Sequence, residues 1–208
     1  MKSSAHLSRA VFLVLLFACG SGGAFGQVVN LIVIPQREAT IYDYVDKLPP
    51  DKKNAIAVIE GDRGSGTGFF ARFKDSVFLV TNLHVLDGNS TFKIRTSNGA
   101  EVKFAGMVAA READIALLKL AEEPKAYFDV EISVDTTNRT GDTILVPGNS
   151  LGGGTILQTE GRIAGIGPAK IEHDAPTFHG NSGSPILNVN TWKVLGVQTL
   201  AITVNRSA

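Results

Sequence analysis

A histidine, a carboxylate and a serine occur along the chain in surroundings that suit nucleophilic catalysis. His84 follows an apolar run in LVTNLHVLDG, Asp114 leads into the apolar segment IALLKL, and Ser182 lies in the glycine-rich stretch HGNSGSPIL. A serine hydroxyl becomes an effective nucleophile when a histidine accepts its proton, and a carboxylate orients and stabilises that imidazole. Each residue alone also suits an ordinary role, as a turn serine, a structural histidine or a strand-end cap. Together the three predict acyl-transfer chemistry.

The order of these residues separates two folds that use the same chemistry. An α/β-hydrolase places its histidine after the nucleophile, yet no histidine follows Ser182. Its G-x-S-x-G turn is also missing, because the last position of that motif is Ser184. The order His84, Asp114, Ser182 is that of the chymotrypsin arrangement. The sequence therefore favours the chymotrypsin arrangement over the α/β-hydrolase fold.

Two other glycine-rich stretches could suggest a bound nucleotide. GSGTGFFA (64–71) contains G-x-G-x-x-A, but a phenylalanine-rich, β-like run follows it where a dinucleotide loop needs a helix. LGGGT (151–155) lacks the lysine of a phosphate loop. The histidines and aspartates are scattered and the chain has one cysteine, so no metal-ligand spacing occurs. We expect no cofactor and no metal.

Short runs rich in valine, isoleucine and leucine, separated by turn residues, run through most of the chain. Asn98-Gly99 is a tight hairpin signal. The pattern predicts an all-β fold whose strands fall into two groups, arranged as paired β-barrels or as a sandwich. Barrel one covers about 55–120 and barrel two about 130–208, together forming a domain over 55–208. The predicted strands are AIAVIE, GTGFFARF, SVFLVT, TFKIRT, EVKFAGMVA, DIALLKL, TILVPG, ILQTEGRIAGIG, SPILNV and KVLGVQTLAITV.

Residues 1–26 are expected to be a secretory signal peptide. Lys2 and Arg9 form a positive region, and Ala10–Ala18 is an apolar stretch too short to span a bilayer. The segment LFAC also resembles the lipobox of bacterial lipoproteins, which would attach a lipid at Cys19. The protein is therefore expected to be exported, to the periplasm or outside the cell, without a transmembrane span. No disulfide can form within the domain, because Cys19 is the only cysteine.

Residues 27–54 form an N-terminal lead-in to the domain. Ile41, Tyr42, Val45 and Leu48 have helical spacing, and Pro49 follows them. Removing the signal peptide leaves 18 basic and 20 acidic residues, a net charge of about −2. The charge gives no reason to expect a nucleic acid or an anionic membrane as a partner.

The chain resembles the trypsin-like serine peptidases, and most closely the protease domain of the bacterial HtrA/Deg branch, without a PDZ module. The resemblance covers roughly Ala55–Leu200. The motifs that carry it occur in the same order as in the family: GSGTGFF, VTNLHVL, ADIALLKL, GDTILVPGNSLGGGT, EGRIAGIG, HDAPTFHGNSGSPIL and VLGVQTL.

The resemblance implies an all-β fold of two packed, six-stranded-type antiparallel β-barrels, as in chymotrypsin. It also implies a serine-type endopeptidase acting on protein or peptide substrates. His84 would be the general base, Asp114 its orienting acid and Ser182 the nucleophile. The backbone N–H groups of Gly180 and Ser182 would form the oxyanion hole. Hydrolysis of peptide bonds through this triad is therefore the expected activity.

The same resemblance implies where substrate side chains bind. Thr177 stands five residues before the nucleophile, as in glutamyl endopeptidases, but Gln198 stands where those enzymes carry a glutamate-reading histidine. We therefore expect a pocket for small or medium uncharged side chains, beside a strand that pairs with the substrate backbone. The predicted substrate-binding residues are Thr177, Gln198, Thr199, Leu200 and Ala201.

Two other functions remain open from the sequence. Relatives continue with a further strand after the region of Ala201, so the second barrel could be incomplete at its C-terminal end. A chain with an incomplete barrel could be a weak or inactive pseudoprotease that serves as a binding module. An esterase on the same scaffold would use the same triad chemistry.

Overall fold

The structure is a computed structural model that describes residues 9–15, 44–131 and 139–204, of which 9–15 and 200–204 are described by their backbone. The first strand, β1 (Arg9–Leu15), belongs to the second of two β-sheets. The predicted fold class is confirmed: the described part of the chain is mostly β-strand, arranged in two packed sheets that are antiparallel except for one short parallel pairing.

The first sheet contains seven strands in an open order and forms barrel one. Along the chain they are β2 (Ile56–Gly61), β3 (Ser65–Phe73), β4 (Ser76–Thr81), β5 (Phe92–Thr96), β6 (Phe104–Ala109), β7 (Ala116–Leu120) and β8 (Phe128–Asp129). The order across the sheet is β5-β2-β3-β4-β7-β6, and β8 pairs with β3. The two edges approach each other where the rings of Phe92 and Phe104 stack at 5.7 Å. The turn at Asn98-Gly99 lies between β5 and β6, and Gly99 has a φ of 86°.

The second sheet closes into a barrel of six strands. Its remaining strands are β9 (Thr143–Gly148), β10 (Leu157–Ile166), β11 (Lys170–His173), β12 (Pro185–Asn188) and β13 (Val194–Val204). The order is β1-β11-β10-β9-β12-β13, with β1 antiparallel to both of its neighbours.

The sequence predicted that the second barrel could be open beside Leu200–Ala201. In the structure this edge of β13 is paired with β1, where Phe12 opposes Ala201 and Leu13 opposes Leu200. The paired strand comes from the predicted signal peptide. The rest of that peptide, Cys19 included, and residues 27–43 lie outside the described residues.

The helices are short. A 3-10 helix covers Pro50–Ala55, the helix α1 covers Leu83–Leu86, and a second 3-10 segment covers Ser150–Gly152. No helix among the described residues is long and apolar enough to cross a membrane.

The helical spacing predicted in the lead-in is wrong for Val45 and Leu48, and its other two positions lie outside the described residues. The segment before Pro50 is extended along β10, where the amide of Val45 donates to the carbonyl of Gln158 at 3.0 Å. The Gln158 side chain accepts from the amide of Leu48 at 2.8 Å. Hydrogen bonds to β10 satisfy these backbone groups. The local sequence pattern did not reveal this pairing.

One apolar core joins the two barrels and fixes their relative position. It combines Phe69 and Val80 of the first sheet with Leu145, Leu187 and Val197 of the second. All five residues are fully buried. The catalytic candidates lie at the junction that this core holds together.

Candidate active site

His84 sits on α1, immediately after β4, and faces Asp114. The backbone amide of His84 donates to Asp114 Oδ1 at 2.9 Å, and the ring Nδ1 is hydrogen-bonded to Oδ2. A carboxylate only accepts hydrogen bonds, so Nδ1 carries the proton and Nε2 is left to accept one. The two side chains are 49% and 32% exposed, which leaves the ring accessible from solvent.

A second layer of hydrogen bonds orients Asp114. The hydroxyl of Thr199 donates to Asp114 Oδ2 at 3.3 Å. The side-chain amide of Asn82 donates to the Asp114 carbonyl at 2.7 Å and also contacts Thr199 Oγ1. Thr199, predicted to bind substrate, therefore also contacts the carboxylate. Asn82 was not predicted, although a buried asparagine two residues before His84 in TNLH could have suggested it.

Ser182 lies in the loop between β11 and β12, close to a cavity that His84 also lines. Both residues border a cavity of about 620 Å³. The carbonyl of Ser182 accepts from the amide of Thr67 at 2.8 Å, and the next amide, that of Gly183, donates to Gln198 at 2.8 Å. No hydrogen bond joins Ser182 Oγ to the His84 ring in the described residues. Such contacts often tighten only when substrate is bound.

The amides of Gly180 and Ser182 are oriented by hydrogen bonds to the carbonyls of their own peptides, which are the carbonyls of His179 and Asn181. The carbonyl of His179 accepts from the amide of Leu151 at 2.7 Å, and the carbonyl of Asn181 accepts from Ser184 at 2.9 Å. Because a peptide is planar and trans, each N–H points opposite to its carbonyl. Neither of these two N–H groups donates to another group of the described residues. The arrangement leaves two donors available for a developing oxyanion.

Leu151, which donates to the His179 carbonyl, has an unusual backbone conformation. Its φ is 66°, in the left-handed region that non-glycine residues seldom occupy. Its side chain is 68% exposed, so core packing does not explain the conformation. The sequence shows only that this stretch, LGGGT, is rich in glycine.

The predicted pocket residues lie on two neighbouring segments. Thr177 and Gln198 are both buried, and Thr177 Oγ1 has no hydrogen-bond partner in the described residues. Gln198 Oε1 lies 2.8 Å from Nε2 of His173, a residue that the sequence did not single out. Burial lowers the pKa of His173 to about 4, so the imidazole is neutral near neutral pH.

The residues predicted to bind the substrate backbone lie on the part of β13 that follows Gln198. On its β12 side, the pairing of β13 ends at Val197, opposite Pro185. Thr199, Leu200 and Ala201 continue β13 beyond that point. Only the backbone of Leu200 and Ala201 is described.

Among the described residues, no group of three or more histidine, cysteine, aspartate or glutamate side chains could hold a metal ion.

Two barrels with a histidine, a carboxylate and a serine at their junction define the chymotrypsin-like class of peptidases. The family model of the trypsin-like peptidase domain matches residues 66–197, and the chain belongs to this family. The predicted resemblance is thereby confirmed, and the family supports the expected class of enzyme, a serine-type endopeptidase.

Curated relatives carry names of the HtrA/Deg branch. A probable periplasmic serine endoprotease, DegP-like, from Rhizobium meliloti is 33% identical over 144 residues, which are 66% of this chain and 28% of the relative. The serine protease Do-like HtrA of Bacillus subtilis is 26% identical over 157 residues, 68% of this chain and 34% of the relative. The chain thus spans about a third or less of the length of these relatives.

Solved structures share the fold. The serine endoprotease from Yersinia pestis matches with a TM-score of 0.59 and 25% identity, over 72% of this chain and 55% of that one. An inactive mutant form of Rv3671c from M. tuberculosis matches with a TM-score of 0.60 and 21% identity, over 79% of this chain and 83% of that one.

Proposed function

We propose that this protein is an exported serine endopeptidase that hydrolyses peptide bonds through His84, Asp114 and Ser182. The observation that carries the proposal is the pair of hydrogen bonds from His84 to Asp114, on the wall of a cavity that Ser182 also lines. The pair holds the ring in one tautomer with Nε2 facing away from the carboxylate.

The reaction would proceed in two halves. Ser182 Oγ attacks the scissile carbonyl carbon while His84 Nε2 takes the hydroxyl proton, and His84 then returns that proton to the leaving amine. Water attacks the resulting acyl-enzyme by the same route, releasing the acid and restoring Ser182. The amides of Gly180 and Ser182 would stabilise the oxyanion in both halves.

Substrate recognition would use the backbone edge of Thr199–Ala201 and the pocket beside Thr177 and Gln198. No charged side chain among these pocket residues could pair with a charged substrate group, and His173 behind Gln198 is neutral near neutral pH. Small or medium uncharged side chains are therefore the proposed preference before the cleaved bond.

Export is supported by two separate observations. The relatives from Rhizobium meliloti and Bartonella henselae are both named as periplasmic endoproteases. Residues 1–26 of this chain have the charge and apolar pattern of a secretory signal peptide.

Labelling with a fluorophosphonate tests the proposal, because the reagent phosphonylates a serine only when that serine is activated. We expect labelling and peptide cleavage in the parent chain and neither in Ser182→Ala. Ser65→Ala is the matched control, because Ser65 lines the same cavity. It should label normally.

Each alternative function has its own outcome in this experiment. A folded parent chain that neither labels nor cleaves would be a pseudoprotease acting as a binding module. Turnover of esters without peptides would identify an esterase. Labelling that persists in Ser182→Ala would overturn the assignment of the nucleophile.

A further inference from the structure

Thr67, on β3 of the first barrel, is hydrogen-bonded to both segments that shape the proposed oxyanion hole. The residue is fully buried. Its hydroxyl donates to the carbonyl of Gly180 at 2.7 Å and accepts from the amide of Asn149 at 2.8 Å. One side chain of the first barrel therefore joins two loops of the second, across 113 and 82 residues of sequence.

The backbone of Thr67 adds a bond on the other side of the nucleophile. Its amide donates to the carbonyl of Ser182 at 2.8 Å. Its own carbonyl accepts from the hydroxyl of Thr81 at 2.7 Å, which anchors the residue within its sheet. Thr67 thus holds the carbonyls of both residues whose amides would face the oxyanion.

The held segment contains glycines that need such a restraint. Gly180 has a φ of 93°, and a Cβ there would lie 2.0 Å from the Asn149 carbonyl oxygen. Gly183 has a φ of 85°, and a Cβ there would lie 2.0 Å from the Thr67 carbonyl oxygen. Glycine permits both the conformation and the close approach, but it also leaves the backbone free to take other conformations. External hydrogen bonds must select the productive one.

We propose that Thr67 is a positioning residue, whose hydroxyl fixes the carbonyl of the Gly180–Asn181 peptide and so keeps the preceding N–H, that of Gly180, directed at the oxyanion. The inference rests on the proposed peptidase function. Its effect falls on the transition state, where the oxyanion develops, because Thr67 lies behind the loop and makes none of the contacts proposed for substrate binding. The role differs from that of the triad residues, since Thr67 does not contact the reacting atoms.

Thr67→Val tests the proposal because valine keeps the shape and removes the hydroxyl. Misplacing a site by about 1 Å can reduce a rate about 100-fold, so we expect kcat to fall by roughly 10- to 100-fold. KM should change by less than about twofold, and the pH dependence of kcat should keep its midpoint. Thr67→Ser keeps the hydroxyl and should restore kcat to within about threefold of the parent chain.

Thr159→Val is the matched control. Thr159 is also fully buried, and its hydroxyl donates to a single carbonyl, that of Val146, at 3.3 Å. Its melting temperature should fall as that of Thr67→Val does, while its kcat should stay near that of the parent chain. Equal losses of kcat in the two valine variants, a loss confined to KM, or failure of Thr67→Ser to restore activity would each overturn the proposal.

Hydrogen exchange separates this proposal from the proposed function. In Thr67→Val the hydrogen-bonded amides of Asn181, Gly183 and Ser184 should exchange at least about tenfold faster than in the parent chain and in Thr159→Val. This measurement needs no turnover. An inactive parent chain with faster exchange in Thr67→Val would reject the peptidase function and retain the restraint. Unchanged exchange would reject the restraint itself.

Discussion

The backbone amide of Leu151 donates to the carbonyl of His179 at 2.7 Å, and this bond directs the Gly180 N–H of the same peptide away from Leu151. Without this bond, the carbonyl would be free to rotate toward the space proposed for the oxyanion. The donor sits on an exposed residue in a left-handed conformation, so the bond can be removed without disturbing the core.

Leu151→Pro should lower kcat by roughly 100-fold, because proline lacks the N–H and cannot adopt a positive φ. Leu151→Gly keeps the N–H and adopts the same φ without strain, so its kcat should stay within about threefold of the parent chain. Steady-state kinetics on one peptide substrate compares the two. A fully active Leu151→Pro would show that the bond does not matter.

Asp114→Asn should reduce kcat by about 10⁴-fold, because an asparagine amide can hold the His84 ring in the wrong tautomer. Thr199→Val removes one hydrogen bond to the carboxylate and should cost roughly tenfold. Both variants should fold, as judged by circular dichroism. If Asp114→Asn kept a tenth or more of the parent kcat, His84 would not depend on Asp114 for its orientation.

His173 should make the protein less stable in mild acid. Burial lowers its folded pKa to about 4, while a histidine in an unfolded chain titrates near 6.5. Between these values the unfolded state binds the extra proton, so stability falls as the pH drops from about 6.5 to 4, by up to about 3 kcal/mol. Below about pH 4 this contribution levels off.

Urea unfolding at pH 7 and pH 4.5 measures this effect. His173→Gln should show a smaller loss of unfolding free energy between the two pH values than the parent chain. His179→Gln is the control for the loss of a histidine, because His179 is exposed. An identical pH dependence in His173→Gln and the parent chain would remove His173 as the cause.

Cleavage should favour small or medium uncharged residues before the cleaved bond. Arginine, lysine and glutamate would each lose hydration in the pocket beside Thr177 and Gln198 without gaining a countercharge. Profiling with a mixed peptide library measures the preference directly. A strong preference for arginine or for glutamate would contradict it.

Removal of residues 1–26 should loosen the second barrel. The processed chain lacks β1, which leaves the edges of β11 and β13 without the partner that the structure shows. We expect faster hydrogen exchange over residues 194–199 and weaker turnover than in the unprocessed chain, with recovery when a partner strand is supplied. Equal exchange in the two chains would show that β13 does not need β1.

Much of the strand pattern follows from local sequence. Runs such as AIAVIE and SVFLVT predict β2 and β4 because branched and aromatic residues favour extended backbone. Asn98-Gly99 predicts the turn at a glycine with a positive φ. The two-residue strand β8 and the four-residue strand β11 were missed, since such short segments carry too little pattern.

The lead-in shows the limit of a periodic pattern. Val45 and Leu48 have helical spacing, yet Val45 is bound to β10 through Gln158, more than a hundred residues away. The hydrogen bonds to this distant strand outweigh the weak local preference for a helix. An unpaired backbone group near the core costs more free energy than that preference contributes. The pairing of β1 with β13 is a contact of the same kind.

The sequence by itself determined the candidate acid, base and nucleophile, because residue type and chain order limit which chemistry is available. Only the tertiary structure decided that His84 donates to both carboxylate oxygens of Asp114, that Leu151 donates to His179, and that Thr67 donates to Gly180. These contacts join residues from 28 to 113 positions apart. They depend on how two barrels pack through a shared core, and no local pattern encodes that packing.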